Sequence, residues 1–318
     1  MSTQRSLIRR LLRPLQPRDC FVVADVTRTI LHQRPGGFSR QMRSLIAAYV
    51  DAGGILCAVT GDSRDTIAEY FLEPLAYRGA GTFFVITGAG SRIDAVRRNS
   101  IKRLYQGPVV GKQARSELLD AMEDVLRLEF ETDFAFSAGQ RRQLLASRGK
   151  RIDISRSFGL PEPLYVEIRP EKGATLFLEG PSEYGGHKAS LLARFAEHVQ
   201  VRATALAEGL RVSRGGDYTD LITATKYEGL ASFFRLKESA QLGLSNRVVI
   251  AIGDSPNDEG LFTYPYATDR EVINVFVGND QAFFKRVQHQ SAASQGIQLT
   301  GEFTKGTEYV LSQLCDGT

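Results

Sequence analysis

Three short apolar runs, each stopped by a cluster of polar residues, limit what this chain can fold into. In FVVADVTRTI (21–30), Phe21 to Ala24 are followed at once by Asp25, Thr27 and Thr29. GGILCAVTGDS (53–63) ends in the same way at Thr60, and NRVVIAIGDSPND (246–258) ends at Asp254 and Asp258. Apolar runs without alternation read as strands covered on both faces, the habit of a parallel sheet between two helical layers. Ligands of such sheets bind beyond the carboxyl ends of the strands. The three polar clusters are therefore expected to converge on one pocket.

The segments between the runs agree with this. GGFSRQMRSLIAAYVDAGG places Met42, Leu45, Ile46 and Val50 at helical spacing and stops at Gly53-Gly54. Ser63-Arg64-Asp65 opens a second helix reaching about residue 75, and TFFVITGAG (82–90) is a third strand. Alternation of this kind predicts the α/β class, with a Rossmann-like, doubly wound parallel sheet as the core. Over residues 97–221 the rhythm changes. A long amphipathic helix at about 112–130 precedes a loop-like polar stretch at about 137–163 and strands in LYVEIRP and ATLFLEG. A helix at about 187–200 follows, then a hairpin with Gly215-Gly216 at its turn. Strands adjacent in sequence pair antiparallel, so this segment reads as an inserted α+β cap domain. From residue 222 the alternation returns: a helix beginning near Lys226, strand VVIAIGD, a short helix after Asn257, strand VINVFVG, and the helices DQAFFKRVQ and KGTEYVLSQL. The expected domains are residues 1–96 and 222–318 for the core and 97–221 for the insertion.

Composition narrows the function classes. Apolar content of 42% and charge of 24% are ordinary for a globular protein. A net charge of +4 spread along the chain forms no stripe that would demand nucleic acid. The one basic concentration is RSLIRRLLRPLQPR (5–18). It reads as a lead-in helix packing Leu7, Leu11 and Leu12 on the core, with a membrane- or partner-touching helix as the alternative. No stretch reaches the ~18 apolar residues of a membrane span. The N-terminal apolar run is too short for a signal peptide, and the expected location is cytoplasmic. Cys20, Cys57 and Cys315 lack metal-ligand spacing, and Cys57 falls inside a predicted buried strand. His32, His187, His198 and His289 are scattered, which argues against a zinc site.

Asp25, at a strand end beside two hydroxyl residues, is placed to be a nucleophilic carboxylate that accepts a phosphoryl group. A lone Asp there would only cap a turn. Asp254 and Asp258, four residues apart at another strand end, offer oxygen ligands to a hard cation, without which Asp25 would repel a phosphate. Lys226 can balance charge on Asp25 and on phosphoryl oxygens. Thr60 and the Gly61 amide can donate hydrogen bonds to phosphate. Arg64 reads equally as a substrate contact or a surface residue, and Asn257 reads as orienting the carboxylates or Lys226. Lys188, in GGHKAS, is a rival for Lys226. The room for one helix and one strand between Lys226 and Asp254 favours Lys226.

Together and in this order, these motifs resemble those of the haloacid dehalogenase-like superfamily of phosphotransferases. The family's first motif, an aspartate followed by aspartate at +2 and threonine at +4, falls on Asp25, Thr27 and Thr29. The second falls on Thr60 in TGDS, the third on Lys226, and the fourth, GDxxND, on Gly253, Asp254, Asn257 and Asp258. The resemblance implies a phosphatase with Asp25, Thr27, Thr60 and Lys226 as catalytic residues. It implies Mg2+ held by Asp25, Thr27 (through its backbone carbonyl), Asp254 and Asp258. Thr60, Gly61, Arg64, Lys226 and Asn257 would surround the phosphate of a small phosphorylated metabolite. The insertion resembles the cap of the branch that includes sucrose-phosphate phosphatase, mannosyl-phosphoglycerate phosphatase and phosphomannomutase. A sugar phosphate as substrate follows from that branch alone.

One position departs from the family pattern. The +2 residue is ordinarily an aspartate that gives a proton to the leaving group and takes one from water, and here it is Thr27. General acid–base help is worth ~10²–10⁴ in rate, so the change should be costly unless replaced. The ion-pumping P-type ATPases resemble this arrangement, with threonine at that position. A substitute acid from the insertion (Glu183, His187 or Asp217), a leaving group needing little protonation, or slow turnover are the options. The alternatives to a phosphatase are a catalytically weakened ligand-binding or regulatory module and a phosphotransferase or mutase.

Overall fold

The structure, a computed structural model, describes residues 2–32, 37–98, 100–146, 151–170, 173–178, 193–195, 197, 211–214, 218–291 and 295–316. The chain forms two compact units, Met1–Gln106 with Thr225–Thr318, and Gly107–Ala224. Along the chain come β1 (Cys20–Asp25), β2 (Ile55–Val59), β3 (Phe83–Thr87), β4 (Arg92–Arg97) and β5 (Ser100–Gln106). The second unit holds β6 (Ile152–Asp153), β7 (Leu164–Arg169), β8 (Gly173–Leu178), β9 (Arg211–Arg214) and β10 (Tyr218–Ile222). β11 (Val248–Gly253), β12 (Val272–Phe276) and β13 (Gln295–Gln298) complete the first.

The sheet of the first unit runs β13-β12-β11-β1-β2-β3-β4-β5. Neighbours from β13 to β3 are parallel. β1 lies inside it, and every one of its residues is buried. Successive side chains point to opposite faces. Val22 and Ala24 join one apolar layer with Met42 and Ile46 of the helix Arg40–Asp51 and Val310 and Leu314 of the helix Phe303–Cys315. Phe21 and Val23 join the other with Leu230 and Phe233 of the helix Lys226–Phe234. Burial on both faces is the physical reason that β1 carries no polar residue before Asp25. Cys57 is fully buried in the second layer, and burial pushes its thiol up.

The far edge of this sheet departs from the sequence expectation. β4 and β5 continue it as antiparallel strands, so Ser100–Gln106 belongs to the core, not to an insertion starting at residue 97. The edge strand β5 is exposed or half-exposed along its length, and its apolar residues Ile101, Leu104 and Tyr105 do not alternate with polar ones, so no strand period marks it. The insertion likewise ends at Ala224 instead of residue 221.

The second unit has its own antiparallel sheet, β6-β7-β8-β10-β9. In β7, Leu164, Val166 and Ile168 are buried in alternation. They share a core with Leu118, Leu119, Met122 and Leu126 of the helix Lys112–Phe130. The stretch 137–163, expected as loop, contains the helix Ala138–Leu145. Ser137 Oγ accepts from Gln140 N at 3.2 Å and Gln140 Oε1 accepts from Ser137 N at 2.8 Å, a reciprocal cap. With Leu144 as its one buried side chain, this helix has almost no apolar stripe to announce it. Glu183, His187, Lys188, Asp217 and the Gly215-Gly216 turn lie outside the described residues.

The basic N-terminal segment forms the helix Ser2–Leu12. Ile8 and Leu12 are buried in the first apolar layer, with Leu7 and Leu11 partly buried beside them. Arg5 donates to both Glu302 oxygens (3.1 and 2.6 Å) and its guanidinium lies 4.8 Å from the Tyr309 ring centre. Among the described residues, no helix is long and apolar enough to cross a membrane. If this helix is part of the core, Ile8→Ala should cost about 2–4 kcal/mol, since the packed site cannot collapse onto the missing atoms. The shift of the urea unfolding midpoint measures this, and an unchanged midpoint would show the helix to be detachable.

Candidate active site

Register brings the polar clusters together. Asp25, the last residue of β1, is paired with Val59 in β2, so Thr60 stands one residue beyond it. On the other side Ala24 is paired with Ile252, and β11 ends at Gly253, just before Asp254. Beyond Asp25 the chain turns sharply: the N–H groups of Ile30 and Leu31 both donate to the Val26 carbonyl, at 2.9 and 2.8 Å. Arg28 sits in the turn with φ 66°, a left-handed conformation that costs a side-chain-bearing residue about 1–2 kcal/mol. Thr304 Oγ1 donates to its carbonyl at 3.2 Å and pins the turn from the last helix.

The loop after β11 folds back so that Asp258 reaches its own beginning. Asp258 Oδ2 accepts from Asp254 N (2.8 Å), Ser255 N (3.0 Å) and Ser255 Oγ (3.3 Å). This needs Gly253, where a Cβ would stand 2.6 Å from the Asp258 Cβ. Asp258 is fully buried, and its other oxygen accepts from Lys226 Nζ at 2.5 Å.

Lys226 opens its helix because Thr225 caps it. Thr225 Oγ1 accepts from Glu228 N (3.3 Å), and Thr225 N donates to Glu228 Oε2 (2.8 Å). The helix packs backbone to backbone on the turn after β3: a Cβ on Gly229 would lie 2.7 Å from the Gly90 Cα. Lys226 thereby enters the site from the side and bridges Asp25 Oδ1 and Asp258 Oδ1, with all three residues buried. Burial alone would pull the ammonium's pKa down, but Asp25 and Asp258 outweigh it and the net shift is up. For Asp25, burial raises the pKa, Lys226 opposes, and the nearby Asp258 and Asp254 push it up again, so the net shift is upward. Asp254 is raised from 3.8 to about 7, first by burial and then by Asp258, against the pull of Lys226, Arg28 and the Thr29 hydroxyl.

Thr29 is fully buried and donates to Asp254 Oδ1 at 3.3 Å. Thr60 is held by backbone on both sides: its N–H donates to Ile86 O (2.9 Å) and its carbonyl accepts from Ala89 N (2.8 Å). A Cβ on Gly61 would have open space around it. Arg64 is drawn instead to Asp94 of β4, with Nε 2.9 Å from Oδ2, an ion pair the sequence reading did not include. Asn257 lies half-buried in the turn between Asp254 and Asp258. Thr27 Oγ1 donates to Asp62 Oδ2 at 3.1 Å. Asp62 stands in plain sight in TGDS, but nothing in the spacing marks it as a partner of residue 27.

Oxygen atoms from Asp25, Asp254 and Asp258, one from each, lie within 4.8 Å of one another. The donor set is all carboxylate, suited to a hard divalent cation. Three buried carboxylates stand against one buried ammonium, and burial first, then the mutual repulsion of the carboxylates, raises Asp25 and Asp254. A divalent cation fits that deficit.

No family model and no curated protein matches the sequence. Solved structures do. A haloacid dehalogenase-like hydrolase from Bacteroides thetaiotaomicron matches with a TM-score of 0.55 at 14% identity, covering 92% of this chain and 98% of its own. A haloacid dehalogenase-like hydrolase from B. subtilis matches with a TM-score of 0.51 at 15% identity, covering 92% and 99%. This chain has the haloacid dehalogenase-like fold. In that fold's terms, β1, β2, the helix from Lys226 and β11 carry the four motif positions that the sequence singled out, and the described residues bring Asp25, Lys226, Asp254 and Asp258 into one cluster.

The raised Asp254 sets a pH dependence. Between 3.8 and about 7 the folded chain holds a proton that the unfolded chain has released. The metal-free protein gains this stability in full at the acid end and loses it as pH rises through about 7. Divalent cations compete with that proton, so their affinity should rise over the same range. Calorimetric titration with Mg2+ at several pH values between 5 and 8 checks the second part, and melting temperatures without metal check the first.

Proposed function

We propose that this chain is a magnesium-dependent phosphatase that hydrolyses a small phosphorylated metabolite through an aspartyl phosphate on Asp25. The observation that carries the reading is the buried ammonium of Lys226 between Asp25 and Asp258, with Asp254 close by. A structural salt bridge would not need three carboxylates about one lysine, and buried ion pairs contribute little to stability on balance. In this reading an Asp25 carboxylate oxygen attacks phosphorus, and Lys226, acting against burial, favours the ionised carboxylate and orients it while balancing phosphoryl charge. Asp25, Asp254, Asp258 and the Thr27 carbonyl would hold Mg2+, which when bound offsets the charge of the phosphoryl group. Thr60 and the Gly61 amide receive phosphoryl oxygens, and Arg64, through Asp94, anchors the loop that carries them. Asn257 steadies the turn between the two carboxylates. A sugar phosphate as substrate rests on the branch that the insertion resembles, as does the cytoplasm as its setting on the composition.

Asp25→Asn should reduce Mg2+-dependent phosphate release from a panel of sugar phosphates to the level of buffer, and EDTA should do the same to the unmodified protein. Full metal-dependent activity in Asp25→Asn would remove Asp25 from the chemistry. Thr27 favours a second reading, a phosphotransferase that shields its aspartyl phosphate from water. A trapped phosphoenzyme that passes its group to a second sugar faster than to water would select it.

A further inference from the structure

Arg64 is drawn to Asp94, and it is not the only arginine there. Asp94 is fully buried in β4, and two guanidiniums close on its one carboxylate. Arg64 Nε donates to Oδ2 at 2.9 Å, and Arg92 Nε donates to Oδ1 and Oδ2 at 3.0 and 2.9 Å. Both arginines use only the Nε–H on the aspartate. Among the described residues, no group accepts from their Nη nitrogens, and none of these nitrogens is buried. The two side chains are otherwise covered, with 13% of Arg64 and 20% of Arg92 exposed. A third guanidinium, Arg103, is exposed on β5 as the cross-strand partner of Asp94. A structural ion pair needs one guanidinium for one carboxylate. Two, with their terminal nitrogens at the surface, leave positive charge and donors for an oxyanion that the protein does not supply.

The backbone sets this pair beside the cluster of Asp25. Arg92 begins β4 opposite Thr87, the last residue of β3, and the preceding Ile86 carbonyl accepts from Thr60 N. Arg92 therefore stands at the same edge of the sheet as Thr60 but two strands along, a span of about 10 Å. Arg64 starts the helix Arg64–Ile67, four residues after Thr60. A span of that size is the length of a small metabolite. We propose that Arg64 and Arg92, held in place by Asp94, form an anion clamp that takes a second acidic group, carboxylate or phosphate, at the far end of the phosphorylated substrate. Resting on the phosphatase reading given above, this names the substrate class: a phosphate ester that carries a second oxyanion remote from the first. The guanidinium fork matches the oxygens of either oxyanion, and its partly covered setting strengthens the contact. Asp94 touches no substrate and acts as a positioning residue that fixes both forks.

The test uses the full chain with Mg2+ and three rigid probes: phenyl phosphate, 4-carboxyphenyl phosphate and 1,4-phenylene bisphosphate. The unmodified chain should turn over at least one of the two doubly acidic esters with kcat/KM ~10–10²-fold above phenyl phosphate, chiefly through KM, the range that charge-assisted hydrogen bonds supply. The larger gain of the two tells whether the clamp takes carboxylate or phosphate. Arg92→Gln should abolish the preference by raising KM for the acidic ester, with kcat on that ester little changed. Arg92→Lys keeps the charge beside Asp94 but not the fork, so its preference should fall between the two. No preference in the unmodified chain, or an undiminished one in Arg92→Gln with an unchanged melting temperature, overturns the clamp. Where Arg92→Gln does not fold, an undiminished preference in Arg92→Lys overturns it instead. Absence of Asp25-dependent turnover on all three probes is a different result, which overturns the phosphatase reading. Calorimetric binding of the same probes then decides the clamp, which stands only if the acidic esters bind more tightly and the Arg92 variants weaken that difference.

Discussion

The ammonium of Lys226 between Asp25 and Asp258 is the contact on which the geometry of the site depends. A buried lysine is costly unless carboxylates surround it, and buried carboxylates are costly unless a cation does. Each group therefore requires the others, although more than two hundred residues separate the two ends of the bridge. The fold meets this requirement with backbone. β1 lies between β11 and β2, the Thr225 cap starts the lysine's helix, and the Gly90–Gly229 contact sets how closely that helix approaches. Asp258 is fixed by three donors of its own loop, so its free choice of direction is already removed before Lys226 arrives.

The same cluster carries more negative charge than the protein neutralises. Thr29 and the loop amides soften the imbalance without removing it, and Asp254, pushed first by burial and then by Asp258, still shifts to about 7. A purely structural cluster would have been relieved by replacing one carboxylate with an apolar residue or an amide. Keeping all three, beside a strained Arg28 whose backbone is held by Thr304, supports the proposal of a site built for a ligand more than for stability.

Much of this was readable from the chain. Runs such as Phe21–Ala24 and Val248–Ile252 have no polar member because both faces are covered, and each ends where the sheet ends. That made the parallel core, and the meeting of Asp25 with Asp254 and Asp258, accessible to pattern alone. What stayed hidden lacks such contrast. β5 sits on an edge with no fully buried residue, and the helix Ala138–Leu145 buries a single leucine, so neither has a periodic stripe. Arg64 was ambiguous because its partner, Asp94, lies thirty residues away on an antiparallel strand that was itself missed.

Asp62 was hidden for a different reason. Motif reasoning asks which residue occupies the +2 position, and Thr27 answers that a carboxylate is missing there. Two loops that end adjacent parallel strands, β1 and β2, emerge side by side from the same edge. The Thr27 hydroxyl therefore meets the Asp62 carboxylate at 3.1 Å across 35 residues of sequence, and a motif read along one strand cannot name a partner that stands beyond the next.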